Sequence, residues 1–281
     1  MIINLSIFNI IFSSIIILVI ILLLFLRYKI KENISLPVLL SASAQSPGAR
    51  KEQEDSLSYI DDEDSLLAVL ADGMGGLSSG KKASSFVVKF FIEEFAKKDI
   101  SDSINNFLIN TTYLSNSNLL KEAAGENIGT TLIAIFIKDD NLYWVSVGDS
   151  QIYLFRNNYV QEINPRHTYA MTLQEAYENG EISRETAKTH PKRNRLISYL
   201  GYKDFHLLDY SKTPIKLNKG DKIILCSDGI YNTLSSFELE EILKLRKLDP
   251  QSDVNLILET VLSKNIHKQD NASIMIIEKT K

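Results

Sequence analysis

The chain has 281 residues, 44% of them hydrophobic and 23% charged, with 35 acidic against 31 basic side chains and a net charge of -4. This composition excludes a disordered or collagen-like chain, and the acidic balance argues against bulk nucleic-acid binding, which needs a basic surface. The single cysteine, Cys226, excludes a disulfide framework and a cysteine-rich zinc site, and the 4 histidines lack ligand spacing, so oxygen atoms must hold any metal.

In chain order, a short N-terminus (1–6) precedes an uncharged run over 7–26, IFNIIFSSIIILVIILLLFL. About 20 residues at about 1.5 Å each span a ~30 Å hydrocarbon core, which predicts a transmembrane helix. A cleaved signal peptide fits less well: no Lys or Arg precedes the run, and Ala42-Ser43-Ala44 lies too far downstream for its cleavage site. Arg27, Lys29 and Lys31 follow the run directly, so the positive-inside bias places residues 1–6 outside and the C-terminal side in the cytoplasm. Residues 27–37 read as a juxtamembrane tether, and 38–281 as one domain.

Within that domain a first strand is expected in LPVLLSASA, then a turn at Ser46-Pro47-Gly48, and a strand at 66–71. Phe86, Val87, Phe90, Phe91 and Phe95 recur at helical spacing over 79–96. Strands at 131–137 and 142–147 flank a hairpin turn, with another at 151–155. Residues 164–213 are polar, with short helical pieces punctuated by Gly180, Pro191 and Gly201. A strand at 222–226, a helix at 236–247 and a last strand at 272–278 complete a mainly antiparallel α+β core.

Apolar runs end in Asp72-Gly73 and Asp228-Gly229, a third runs into Gly148-Asp149-Ser150, and Asp270-Asn271 stands just before the last strand. Strand ends of one sheet lie side by side, so these carboxylates can converge, and converging carboxylates repel unless a cation sits between them. Hard oxygen ligands without imidazole or thiolate select Mg²⁺ or Mn²⁺. A competing pattern is the P-loop-like Gly75-Gly76-Leu77-Ser78-Ser79-Gly80-Lys81-Lys82. There Lys82 stands where a Ser or Thr hydroxyl should meet Mg²⁺, and an NTPase leaves Asp149 and Asp270 without work.

Ala71-Asp72-Gly73-Met74-Gly75-Gly76, Gly129-Thr130-Thr131, Val147-Gly148-Asp149-Ser150, Ser227-Asp228-Gly229 and Asp270-Asn271-Ala272 resemble, in order, the motifs of the metal-dependent serine/threonine protein phosphatases of the type 2C class. Arg50-Lys51-Glu52-Gln53-Glu54-Asp55 resembles their N-terminal motif, and residues 175–201 the mobile flap of bacterial members. The resemblance covers about residues 38–279 and implies a four-layer α-β-β-α sandwich of two antiparallel sheets flanked by helices.

It further implies that Asp72 bridges two Mn²⁺ or Mg²⁺ ions, with the Gly73 carbonyl and, through water, Glu54 or Asp55 serving the second. Asp228 and Asp270 would complete the first ion's shell, Asp149 would help hold a third, weaker ion, and Arg50 would bind the substrate phosphate. A binuclear centre supplies hydroxide at neutral pH for in-line attack on phosphoserine or phosphothreonine. The partners implied are phosphorylated proteins and an opposing serine/threonine kinase, at the cytoplasmic face of the membrane. The competing reading from another class is a catalytically silent module on the same fold, against which the complete set of aspartates argues. Two departures stand out: Met74 occupies a place where many eukaryotic members carry His, which suggests that water protonates the leaving alkoxide, and Gln151 replaces a usual Arg. Lys192, Arg193 and Arg195 give the flap a basic face that either faces solvent or guides an acidic phosphopeptide.

Overall fold

The computed structural model describes residues 16–23, 38–62, 65–74, 79–97, 103–245 and 249–281. Residues 16–23 are helical. Among the described residues no helix is long and apolar enough to cross a membrane, and the remainder of the expected span over 7–26 lies outside them. Residues 39–281 form one contact unit.

Two antiparallel sheets build that unit. The first runs in the order β1 (Leu39–Ser46), β13 (Ala272–Lys279), β12 (Lys222–Cys226), β8 (Gln151–Arg156), β9 (Tyr159–Glu162). The second runs β10 (Asp209–Tyr210), β7 (Asn141–Val147), β6 (Leu132–Lys138), β3 (Ser65–Ala71), β2 (Ser56–Asp62), with β11 (Ile215–Lys216) also on β7. A short pair, β4 (Gly73–Met74) with β5 (Gly129–Thr130), stands beside them.

The central strands β3, β6, β12 and β13 read as nearly continuous apolar runs because both of their faces are buried. Along β3, Leu66, Ala68 and Leu70 meet Ile223, Leu225, Met275 and Ile277 of the other sheet in one cluster. The alternate residues Leu67, Val69 and Ala71 pack against α1 (Ser79–Ala96) and α2 (Ile104–Ala123) through Val87, Phe91, Leu108 and Leu119. On the far side Ile224, Ile274 and Ile276 pack against α6 (Ser236–Leu245) and α7 (Pro250–Ser263) through Leu239, Val254 and Ile257. Sheets therefore face each other, and helices cover their outer faces. Full burial of each Leu, Ile or Phe contributes about 1.5–3 kcal/mol, so the sheet ends are anchored by a large core.

Register decides where the loops go. Ser46 pairs with Ala272, and Cys226 pairs with both Ile274 and Gln151. In the other sheet Ser56 pairs with Ala71, and Leu132 with Val147. The end of β1, the start of β13, the end of β12 and the start of β8 thus lie along one rim. The start of β2 and the ends of β3 and β7 lie on the corresponding rim of the second sheet. The turn Gly148-Asp149-Ser150 crosses between them. Gly148 there has a φ of 95°, a conformation that a side chain disfavours.

Candidate active site

The sequence motifs sit on these aligned strand ends. Arg50, Glu54, Asp72, Gly73, Asp149, Asp228 and Asp270 line one cavity of about 550 Å³. Asp55, just before β2, is 4% exposed and lies outside that lining, behind it.

Short polar contacts fix the backbone that carries these carboxylates. The Asp72 N–H donates to Thr131 Oγ1 at 2.9 Å, and the Asp72 carbonyl accepts from the Thr131 N–H and the Thr130 hydroxyl, both at 2.9 Å. Thr131 Oγ1 also bonds Ser150 Oγ at 2.8 Å, so the Gly-Thr-Thr motif ties the Asp72 strand end to the Asp149 turn. Asn271 Oδ1 accepts from the Glu54 N–H at 2.7 Å, and its Nδ2 donates to the carbonyls of Pro47 at 3.0 Å and Glu52 at 2.9 Å. This one amide fastens the loop carrying Arg50 and Glu54 to the strand end carrying Asp270. Asp228 opens α5 (Asp228–Tyr231), whose Gly229 approaches so closely that an added Cβ would stand 2.0 Å from the Asn271 carbonyl oxygen.

The electrostatics are those of crowded acids. Burial pushes the Asp72 carboxyl well above the ordinary carboxylate range, and Asp55, Asp228, Asp149 and Asp270 push it further. Asp228 is pushed up to about 7, first by burial and then by Asp149, Asp270 and Asp55. Burial also raises Asp55 and Asp149, against hydroxyls that donate to them. For Asp55 these are Ser227 at 2.8 Å and Ser273 at 2.6 Å, both on Oδ2. Asp55 Oδ1 and Glu54 Oε1 are buried without a hydrogen-bond partner.

Among the described residues no three acid, His or Cys side chains are already drawn together tightly enough to hold an ion. Asp270 instead bonds the Arg50 guanidinium at 2.7 Å. The donor set nevertheless fits a divalent cation. Every donor is oxygen, two buried carboxylate oxygens lack a partner, and the mutual repulsion is what a bound positive charge relieves.

Several contributors were invisible in the sequence. His167 is fully buried, its Nδ1 accepts from the Gly148 N–H at 3.1 Å, and its Nε2 donates to Asp209 Oδ2 at 2.9 Å. Its main chain bonds Gly148 and Ile197 as well. The Tyr231 hydroxyl donates to Asp149, and Arg166 stacks 5.0 Å above the Tyr231 ring. The 164–213 segment holds α3 (Tyr169–Glu178) and α4 (Arg184–Thr189), and closes one side of the cavity with Asn194, Arg195, Leu196 and Tyr199. Of the flap cations, Arg195 lines this cavity, Arg193 lines a neighbouring one and Lys192 is exposed. Gln151 does not reach the cavity: it is buried, and its Nε2 donates to the Asn164 carbonyl and side chain at 2.9 Å.

Comparison with known proteins agrees with this geometry. The family description "Protein phosphatase 2C" matches residues 48–261. The serine/threonine phosphatase stp of Listeria monocytogenes is 28% identical over 239 residues, covering 82% of this chain and 91% of its own. The serine/threonine phosphatase of S. agalactiae superposes with a TM-score of 0.76 at 22% identity, covering 86% of this chain and all (100%) of that one, a likeness of fold. The catalytic domain of the phosphatase PstP, solved in complex with 2 manganese ions, has a TM-score of 0.67 and 26% identity, over 87% of this chain and 99% of that one. The aligned carboxylates, their order along the chain and these matches lead to one conclusion: the chain belongs to the protein phosphatase 2C family.

Proposed function

We propose that this protein serine/threonine phosphatase hydrolyses phosphoserine and phosphothreonine with a binuclear Mn²⁺ or Mg²⁺ centre held on the aligned strand ends. The observation that carries the reading is the convergence of Asp72, Asp149, Asp228 and Asp270 from four strand ends on one cavity. Asp72, the Gly73 carbonyl, Asp228 and Asp270 would hold the two ions, with Glu54 and Asp55 behind water and Asp149 beside a third, weaker one. Such ions activate water at neutral pH and neutralise charge developing at phosphorus.

The chain's own residues supply the rest. Arg50, exposed at the cavity mouth, offers a planar guanidinium that can bond two phosphate oxygens. Its bond to Asp270 would orient it toward the same point as the carboxylates. Thr131 and Asn271 keep the acids in place while they carry like charge. Met74 lines the cavity and has no proton to give, so the leaving alkoxide must be protonated from elsewhere. The test is hydrolysis of a phosphothreonine peptide by the purified chain with and without added Mn²⁺. Activity that survives complete chelation would refute the metal centre, and a chain inert toward several phosphopeptides would refute the function.

The uncharged run over 7–26, with Arg27, Lys29 and Lys31 behind it, supports a single membrane anchor with the phosphatase on the cytoplasmic side. An enzyme so placed would oppose a serine/threonine kinase at the same surface. Alkaline carbonate should leave the full chain in the membrane pellet, and protease added to intact cells should spare residues 38–281. Release by carbonate refutes the anchor; digestion without permeabilisation refutes the orientation.

A further inference from the structure

Three cations surround a cavity of about 320 Å³ between α3 and α4: Arg184 and Lys188 on α4, and Arg193 beyond it. No carboxylate lines this cavity, whose polar wall from α3 is Gln174 and Tyr177. Arg193 is fixed in place. Its Nη1 donates to the Lys188 carbonyl at 3.0 Å, its N–H donates to the His190 carbonyl at 3.0 Å, and its carbonyl accepts from the Ala170 N–H at 2.8 Å. Among the described residues, none of the three cations has an ion-pair partner. Like charges gathered on one concavity raise its positive potential and are relieved by an anion.

The cavity is also connected to the chemistry. It shares Ala170, Gln174 and Arg193 with a larger cavity of about 660 Å³. That second cavity shares Asp149, Asn194 and Asp228 with the catalytic one. The three cavities thus adjoin in series, and a peptide whose phosphorylated residue sits over the carboxylates would run along them past α3 toward α4. Space of that extent serves a peptide and is wasted on a free phosphoester.

We infer that the basic cavity is a substrate subsite, one that seats Asp or Glu side chains of the phosphoprotein segment flanking the phosphorylated residue. The inference rests on the phosphatase reading above and adds a substrate preference to it. The intervening cavity carries Glu175 and Glu178 on α3, and Glu162 paired with Arg166 at 3.8 Å. Acidic residues close to the phosphorylated one meet those carboxylates and are disfavoured. Acidic residues further along reach Arg184, Lys188 and Arg193 and are favoured. The preference therefore depends on position.

The test uses phosphothreonine peptides in which one Glu is walked outward on either side, each paired with its Gln counterpart. At some distance from the phosphothreonine the parent should favour Glu over Gln by about fivefold in kcat/KM, the scale of a few partly exposed ion pairs, and the gain should lie in KM. The double variant Arg184→Glu with Lys188→Glu should reverse that ratio and prefer Lys at the same position, an exchange that loss of packing cannot produce. No Glu preference at any position in an active parent, a preference that persists in the double variant, or an equal loss on every peptide would overturn the subsite. A parent inert toward every peptide and toward p-nitrophenyl phosphate would instead overturn the phosphatase reading on which it stands.

Discussion

The floor of the cavity and its flap wall are held in different ways. The floor is the rim of two sheets: Asp72, Asp149, Asp228 and Asp270 sit within two residues of strands whose ladders run five to eight residues deep. The wall, residues 164–213, meets that rim through one isolated bridge, Thr130 with Leu200, and the two-residue pairing of β10 on β7, and closes on itself through a second bridge, Thr168 with Leu196. Around these lie a few main-chain bonds such as Tyr169 N–H to the Arg195 carbonyl at 2.8 Å. Leu173, Ala187, Ser198 and Leu200 are buried there, but most of the segment between 170 and 197 is exposed or half-exposed. Geometry fixed by a deep ladder can keep like charges together; geometry fixed by a few bonds can yield to a substrate.

Breaking the floor should cost most. Asp228→Asn would remove one of the charges proposed to hold the cation while keeping the shape of the side chain. Outer partners of metal ligands cost 10–100-fold when removed, so a ligand itself should cost more than about a hundredfold in Mn²⁺-dependent kcat/KM. Retention of parental activity would remove Asp228 from the centre. Arg50→Ala comes next. Its loss should raise KM for small phosphoesters by about 10–100-fold, the equivalent of about 1.5–3 kcal/mol for a charge-assisted bond. Affinity for Mn²⁺, followed by calorimetry, should change little; equal damage to metal binding would make Arg50 a structural partner of Asp270 instead.

His167 joins floor to wall, and replacing it sharpens the contrast. His167→Ala leaves the Gly148 N–H and the Asp209 carboxylate without their ring partners. The fold should lose about 1–3 kcal/mol, the cost of an unmade buried bond, and activity should fall about tenfold through the displaced Asp149 turn. A stability loss without any change in kcat or in Mn²⁺ dependence would mean that the pin serves the fold alone.

The crowded floor also predicts a pH signature that the wall lacks. Asp228 is pushed up to about 7 and Asp72 higher than its ordinary range, so between about 4 and 7 the folded state holds protons that the unfolded chain has released. That stability is complete below pH ~4 and is lost as pH rises through about 7. With chelator present, the melting temperature should fall on the order of 5 °C between pH 5 and pH 8. Excess Mn²⁺ should flatten or reverse the slope, because the ion binds the ionised acids. A metal-free melting temperature that rises over this interval would contradict the crowding.

The same division explains what could be read from the sequence. Strands buried on both faces announce themselves as apolar runs, and the acids at their ends follow by position, so the core and the carboxylate floor were legible. The helix α2 was not: its buried face includes Thr111, Thr112, Ser115 and Asn116, which show no apolar period. Asn116 uses that polarity to hold the end of the flap, with Oδ1 accepting from the Gly201 N–H at 2.7 Å. The helix α7 escaped too, although Asp249 caps it and Pro250 opens it. His167 and Asp209 are 42 residues apart, and nothing local in either segment marks the other. The role of Gln151 likewise depends on Asn164, a partner only the fold reveals.

The smallest effect is expected at Lys81, and it tests whether the floor works through carboxylates or through a phosphate-cradling loop. Gly80 packs against the floor so tightly that a Cβ added to Gly73 would stand 2.3 Å from the Gly80 carbonyl oxygen. The next residue, Lys81, is nonetheless exposed in the first turn of α1 and is absent from the catalytic lining. In a P-loop enzyme that ammonium would contact nucleotide phosphates, and removing it would be severe. In a phosphatase built on strand-end acids it is a solvated surface charge, whose replacement is worth within about 0.5 kcal/mol. Lys81→Ala should therefore change kcat/KM on a phosphothreonine peptide by less than about twofold, with ATP hydrolysis absent in both forms. A large loss in a folded variant would move the phosphate-binding function from the strand ends to the helix start.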